Sequence, residues 1–552
     1  MTLRALAEAA GVEFTSLSKI ENERVEHLPS VDTIRDLAQA LEVDAMELLQ
    51  LANKLPPELA KLAGNDKEEA SRPHPTSLGQ VASTTPVVPT GDAVPPPLHP
   101  GVPAALSAQA VNEAPPSPLQ IHIGTATITP VGFMDMTEVF RSTTGGSSIG
   151  TNFGSIPYGN TPQGKLTESR FSTQNSRIGA RIDAMVHGAH VLAYWESDFL
   201  GTTPGNVAVT SNSNTFRMRL YWVNVRKGKW EVLGGQSWSM MTPNRKGISP
   251  LPGDVFYSQD FDTNYQLGLT WSRQPGFRFV YHPNSTVTWG VSFENAEQFG
   301  GGSGGGGAIT LPGSLASAYA NQINTGGQGF ADPNLGPDII TKLALDPVVH
   351  GKLMHVEFVG LLSNFKTYNP TGGQSFTKTG GGGEFNFNLE VAKGFHLIAN
   401  TYFSDGGGRY IFGLAPDLIV RPDGSPSLVH AYSTVDGFEY HLKNAVLYAY
   451  YGGTAIGRNY SVDAANSNAL VGYGYAGSPG SQNRIIQEAS FGYNPTFWKS
   501  PNYGALGMFF QYSYLIRSPW SPASSGPRNA NSNMIWVDLR YTLPGQAPSI
   551  EK

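Results

Sequence analysis

The chain is 552 residues long with a formal net charge of −6, and its length excludes a single ordinary globular core. Charged residues are only 14%, whereas 64 glycines, 23 tyrosines, 27 phenylalanines and 9 tryptophans mark a mainly β composition, and the lack of cysteine excludes disulfide frameworks and thiolate metal sites. No stretch nears the roughly 18 consecutive apolar residues of a spanning helix. That excludes a helical membrane protein but not a β-barrel, whose strands alternate apolar and polar side chains and average out as mildly hydrophilic.

The opening MTLRALAEAA has neither the basic nor the apolar region of a secretory signal. Residues 2–62 instead carry apolar side chains at helical spacing: Leu3, Leu6 and Ala7; Val12, Leu17 and Ile20; Ile34, Leu37 and Leu41; Met46, Leu48 and Leu49. Thr2, Ser30 and Asp44 stand where N-caps belong and Gly11 breaks the first helix pair, so four short helices with tight turns are expected over 1–62. Residues 63–119 lose this periodicity in a Pro, Ala, Thr and Ser mixture that includes Pro95-Pro96-Pro97, and are expected to be a disordered or polyproline-like linker. Leu106-Ser107-Ala108-Gln109-Ala110 reads either as the small-residue end of a signal-cleavage site, lacking its apolar segment, or as plain Ala-rich linker.

Over 120–552 the period becomes two. Arg177, Arg181 and Asp183 fall on one face and Ile178, Ala180, Ile182 and Ala184 on the other; Arg217, Arg219 and Tyr221 are expected opposite Phe216, Met218, Leu220 and Trp222. The alternation recurs near 126–140, 170–186, 190–200, 215–226, 230–240, 263–282, 286–294, 338–346, 352–366, 383–393, 395–403, 428–441, 444–452, 484–496, 504–517 and 532–543. About sixteen antiparallel strands with short turns at one end and long Gly-, Ser- and Asn-rich connections at the other predict a transmembrane β-barrel with a water-filled interior.

Two resemblances accompany these patterns. Leu3-Arg4-Ala5-Leu6-Ala7-Glu8-Ala9-Ala10-Gly11-Val12, Ser16-Leu17-Ser18-Lys19-Ile20-Glu21-Asn22 and the stretch from Asp32 to Leu41 resemble the Cro/C1-type (XRE) helix-turn-helix family. The resemblance implies a helix entering the DNA major groove, with Phe14, Thr15, Ser18 and Lys19 at base-reading positions, Ser16 beside them, and Asn22 and Arg24 near phosphates. Phe14 and Glu23 depart from the usual Gln or Arg and Gly, and Met1 falls where the family has already completed its first helix. A domain this small is marginal without one of its helices, so a DNA reader and an inert helical remnant both stand.

The second resemblance rests on Ser169-Arg170-Phe171-Ser172-Thr173-Gln174-Asn175-Ser176-Arg177-Ile178-Gly179, Leu233-Gly234-Gly235-Gln236-Ser237-Trp238-Ser239 and Pro337-Asp338-Ile339-Ile340-Thr341-Lys342. These are similar to the porin family that includes dicarboxylic-acid porins. The resemblance implies an outer-membrane homotrimer of sixteen-stranded barrels, surrounded by lipid and passing small, often anionic, solutes by diffusion. One departure is that Trp536, Val537, Leu539, Tyr541 and Leu543 are followed by further residues rather than by a terminal aromatic.

In such a channel the working residues are interior charges. Arg170, Arg177, Arg181, Arg217 and Arg219 would gather as a basic ladder, with Asp135, Asp183, Glu196 and Asp198 either across the lumen or paired on the same wall. A filter favouring anions and a plain solvated strand face are both compatible with these positions. Segment 240–262, with Asn244, Arg245 and Lys246, is long enough for an inward constriction loop or an ordinary outer loop.

No serine-hydrolase elbow, phosphate-binding loop or zinc-helix motif is present, so no catalytic site and no cofactor are expected. His122, His187, His190 and His282 read as structural, and the glycine run 300–307 as a flexible loop. The alternative function is a sequence-specific transcriptional regulator whose C-terminal half is a soluble β domain. Against it stands the apolar strand face, an aggregation hazard in the cytoplasm.

Overall fold

In the computed structural model, residues 7–12, 31–41, 117–145, 148–201, 214–256, 259–326 and 333–544 are described. The chain divides into two units, Met1–His99 and Pro100–Lys552. In the first, helix α1 (Val31–Leu41) buries Ile34, Leu37 and Ala38, an i, i+3, i+4 stripe. Ala7, Ala10 and Leu37 form a small core with Val12 and Ala40 against it. Residues 7–9, within the first expected helix, are helical and a turn follows at Ala10 and Gly11, whereas the rest of the helices expected over 1–62, and the linker up to residue 116, lie outside the described residues.

The second unit is a barrel. Its strands are β1 (Ala126–Arg141), β2 in two segments (Glu168–Ser172 and Arg177–Val186), β3 (Ala189–Asp198), β4 (Arg217–Lys227), β5 (Trp230–Trp238) and β6 (Arg273–Tyr281). They continue as β7 (Val287–Glu294), β8 (Asp338–Leu345), β9 (Lys352–Asn369), β10 (Gln374–Ala392) and β11 (Phe395–Asp405). The last five are β12 (His430–Leu442), β13 (Ala445–Ile456), β14 (Asn483–Ser500), β15 (Gly504–Pro519) and β16 (Ala530–Thr542). Each pairs antiparallel with the next, and β16 returns to β1 in the register Phe133↔Thr542 to Arg141↔Met534, closing a sixteen-stranded barrel with no free edge.

The period of two sorts the side chains. On β1, Met134, Met136 and Phe140 are exposed on the outside while Asp135, Thr137 and Arg141 are buried inside. The outward band is apolar all round, and near the short-turn end it carries paired aromatics: Trp230 with Tyr281 at 4.5 Å and Phe395 with Phe438 at 5.3 Å. Turns at 187–188, 228–229, 393–394 and 443–444 mark that end, whereas 142–145, 148–167, 295–326, 333–337, 406–429 and 457–482 lie at the other. These long connections share a core that includes Phe153, Ile309, Tyr319, Leu414, Ile419 and Tyr473.

Four expectations need correction. Residues 263–272 are not strand, because β6 begins only at Arg273. Strand β10 starts at Gln374, well before the expected 383, because backbone pairing to Asn369 and its neighbours holds a segment whose Gly380, Gly381, Gly382 and Gly383 give no alternation. On β4 a register shift opposite Glu196 and Ser197 puts Arg219 and Leu220 both inside, so Tyr221 is 63% exposed on the outer face while Leu220 and Trp222 are buried within. Gly235 on β5 accommodates this bulge: its φ is 130°, and a Cβ there would sit 2.4 Å from the Tyr221 carbonyl. Finally, the glycine run 300–307 is a tightly packed turn rather than a flexible loop, for a Cβ on Gly304, at φ 59°, would lie 2.2 Å from the Phe412 carbonyl.

Candidate functional site

The interior charges come together on the wall formed by β2 to β6. The bulge points Arg219 inward, where Nε donates to Glu196 Oε1 and Nη1 to Asp198 Oδ2, each at 2.7 Å. Arg217 donates to Asp198 at 2.8 Å, and Arg177 lies 3.7 Å from Glu196. Arg273, which the sequence did not single out, sits with its guanidinium 5.8 Å from the Trp238 ring, as does Arg219. This patch therefore holds Arg177, Arg217, Arg219 and Arg273 against Glu196 and Asp198, two more positive charges than negative.

The remaining named charges are more dispersed. Arg181 clamps Asp183 through Nε at 2.7 Å and Nη2 at 2.8 Å, and His190 joins Asp183 at 3.1 Å. Arg170 is half-exposed, with Glu168 3.8 Å away. Asp135 is bound to Asn175 and Arg540, both at 2.9 Å, and Arg540 and Arg177 lie 4.0 and 5.1 Å from the same Phe133 ring, so the β1–β16 seam adjoins the arginine patch. Of the two arrangements the sequence left open, the carboxylates Asp183, Glu196 and Asp198 pair with arginines on the same wall. Of the histidines, His282 meets Glu231 at 3.1 Å, His122 meets Thr127 at 3.2 Å, and His187 occupies a turn at φ 48°.

The segment 239–272, between β5 and β6, runs through the interior to the opposite wall. The Asn244 amide donates to Glu357 at 3.1 Å, and Arg245 holds Glu439 through two bonds of 2.9 and 2.8 Å. Lys246 follows, and the Gly247 amide donates to Asp346 at 3.0 Å. Farther on, the Phe261 amide donates to Gln511 at 2.6 Å, Leu267 to Glu488 at 3.0 Å and Thr270 to Asn400 at 3.0 Å. Lys342, fully buried, completes the anchorage by donating to the Thr242 carbonyl at 2.8 Å and to both Glu357 oxygens at 3.2 Å.

Burial holds Asp262 of this segment above the usual carboxylate range, although its carboxylate accepts the Thr151 and Asn264 amides. Burial likewise raises Tyr265, but Arg177 and Arg219 outweigh it and draw the phenol below its ordinary value. Its hydroxyl lies 3.4 Å from Arg219 Nη2, so the segment also touches the arginine patch.

Sequence reasoning found Arg177, Arg217, Arg219, Glu196 and Asp198 but missed Arg273 and the anchors Glu357, Glu439, Glu488 and Gln511. Their one signal is a lone polar residue on the inward phase of a strand. The residues expected to contact DNA, Phe14, Thr15, Ser16, Ser18, Lys19, Asn22 and Arg24, lie outside the described residues.

Among known proteins, the helix-turn-helix family matches residues 1–48. No curated protein matches the chain. Of solved structures, the outer membrane channel DcaP of Acinetobacter baumannii is similar with a TM-score of 0.56 and 16% identity, over 76% of this chain and 98% of that one. An anion-selective porin from Comamonas acidovorans overlaps 76% of this chain and 99% of its own at 12% identity, with a TM-score of 0.42. The chain joins a segment matching the helix-turn-helix family to a sixteen-stranded barrel that shares its fold with an outer membrane channel.

Proposed function

We propose that the barrel is an outer-membrane channel for passive diffusion of small solutes, preferring anions, and that it works as a homotrimer within lipid. The observation that carries this is the division of the interior: 239–272 is tied to acidic groups on β9, β12 and β14, while the arginine patch on β2 to β6 keeps an excess of positive charge. Charge of one sign beside a narrowed passage sets an electrostatic filter, and no chemical step is required. The apolar outer band supports the membrane setting, since strands closed into a barrel leave no unpaired backbone in lipid. Segment 239–272 acts as the constriction, with Arg245 and Asn244 as its fixings. The test is reversal potential across planar bilayers in a salt gradient: chloride selectivity that declines when Arg217 and Arg273 are changed to alanine supports the filter, and cation selectivity in the parent protein refutes it.

The match over residues 1–48 favours a second activity for the N-terminal segment, contact with DNA through Phe14, Thr15, Ser16, Ser18, Lys19, Asn22 and Arg24. A barrel embedded in the outer membrane is out of reach of an operator, so the two segments act in different molecules. Mass spectrometry of N-termini in separated membrane and soluble fractions decides it. A membrane species beginning near Ala110 assigns the chain to the channel, and a soluble species retaining Met1 assigns it to DNA.

A further inference from the structure

On the outside of the barrel, toward the long-loop end, β10 to β14 bear a cleft of about 660 Å³. Its floor follows from strand register: Phe403 pairs with Gly383 and Tyr432, and Tyr432 with Ala455, while one step nearer the loops Asp405 pairs with Gly381 and His430. Small residues at Gly381, Ala455 and Gly457 leave a recess beside the exposed rings of Phe403 and Tyr432. The rim differs in chemistry. Arg484 is exposed there, Arg458 stacks on Trp520 at 5.7 Å, and Trp520 is fixed by an N–H bond to the Ile456 carbonyl at 3.0 Å. One carboxylate, Asp405, stands against them and is shared with His430 at 3.3 Å.

We propose that this cleft seats an acyl chain of a phosphorylated, acylated lipid in the surrounding leaflet, with its phosphate held by Arg484 and Arg458. The inference rests on the membrane setting proposed above. An apolar recess with Arg484 in its lining and Arg458 over the adjoining Trp520 ring complements an amphiphile whose anionic group sits at the membrane surface, and guanidinium binds phosphate through paired N–H bonds. A second copy of the barrel fits less well, because closing a protein wall over this rim would strip water from both arginines and His430 without supplying their partners. A smaller recess of about 470 Å³ near the short-turn end, lined by Val223, Val225, Val232 and Phe277, has Lys227 alone at its edge and serves as an internal comparison.

The test is titration of diphosphorylated lipid A into the detergent-purified full chain, read by native mass spectrometry, with the dephosphorylated lipid in parallel. The phosphorylated form should bind more tightly by about tenfold or more, and the double variant Arg458→Ala/Arg484→Ala should erase that margin. Ala455→Trp, which fills the recess, should abolish binding of both lipids, while Lys227→Ala should leave it unchanged. Equal binding of the two lipids, unchanged binding by the double variant, or a change of oligomeric state with Ala455→Trp overturns the proposal. Bilayer conductance of the same samples is the independent readout: channels without lipid discrimination refute the cleft alone, and absence of channels refutes the function on which it rests.

Discussion

The two sides of the barrel interior use the same kinds of charge to different ends. Across from the arginine patch, Glu357, Glu439 and Glu488 are buried and each receives a donor from 239–272, so that wall is spent on holding the segment. On β2 to β6 the arginines outnumber their carboxylates, and Arg273 faces an aromatic ring. On the reading proposed above, an acidic wall engaged by protein donors and a basic wall with charge in excess would present a solute with one sign of field, although the whole chain is acidic at −6. Net charge therefore says little about selectivity; which charges are already answered by neighbours says more.

This contrast can be broken most forcefully at Glu357. Replacing it with alanine leaves the fully buried Lys342 without its carboxylate and should cost about 3–5 kcal/mol in unfolding free energy, with larger single-channel conductance as 239–272 loses its hold. Unchanged conductance would show that the segment is held without this wall. The basic side is sharpened by Arg273→Ala. It should lower the chloride-to-potassium permeability ratio by about a factor of two to five at low salt, and less in concentrated salt, where screening dominates.

A smaller effect concerns pH. Burial raises Asp262, so its contribution to stability is complete below the ordinary carboxylate range and is lost as pH rises through the raised value. Asp262→Asn, neutral throughout, should match the parent in thermal unfolding near about pH 4 and exceed it near about pH 8. Smallest of all, Arg181→Ala removes a partly solvated clamp on Asp183 and should change stability by less than about 1 kcal/mol, because His190 remains beside the carboxylate. A larger loss would mark Arg181 as part of the patch it adjoins.

The barrel was legible because its signal is repeated: each of the sixteen expected segments overlaps one strand, and the alternation needs nothing beyond the pleat. What escaped were departures from that repetition. The bulge at Arg219 and Leu220 reverses the phase within one strand, and no local composition announces it. The start of β10 is hidden by glycines that have no face. The length of 240–262 left two paths open, because the groups that draw the segment inward, Glu357, Glu439 and Gln511, lie 113, 194 and 250 residues from the ones they bind. The arginine patch was half readable: adjacency on β2 to β4 brought most of its members together, whereas Arg273 arrives through the strand that follows the long inward segment.

The seam between β1 and β16 sets the order in which the protein can be made. Thr137 donates to Asp538 across 401 positions, and Asp135 reaches Arg540 across 405. Loop closure over such distances comes late and slowly. Until then the first and last strands each present a row of unsatisfied amides and carbonyls able to recruit a stranger. Assembly is consequently a race between two ends of one chain, with Asp135, Arg540 and Asp538 as the clasp, and whatever delays the second end prolongs the interval in which the first can pair with the wrong molecule.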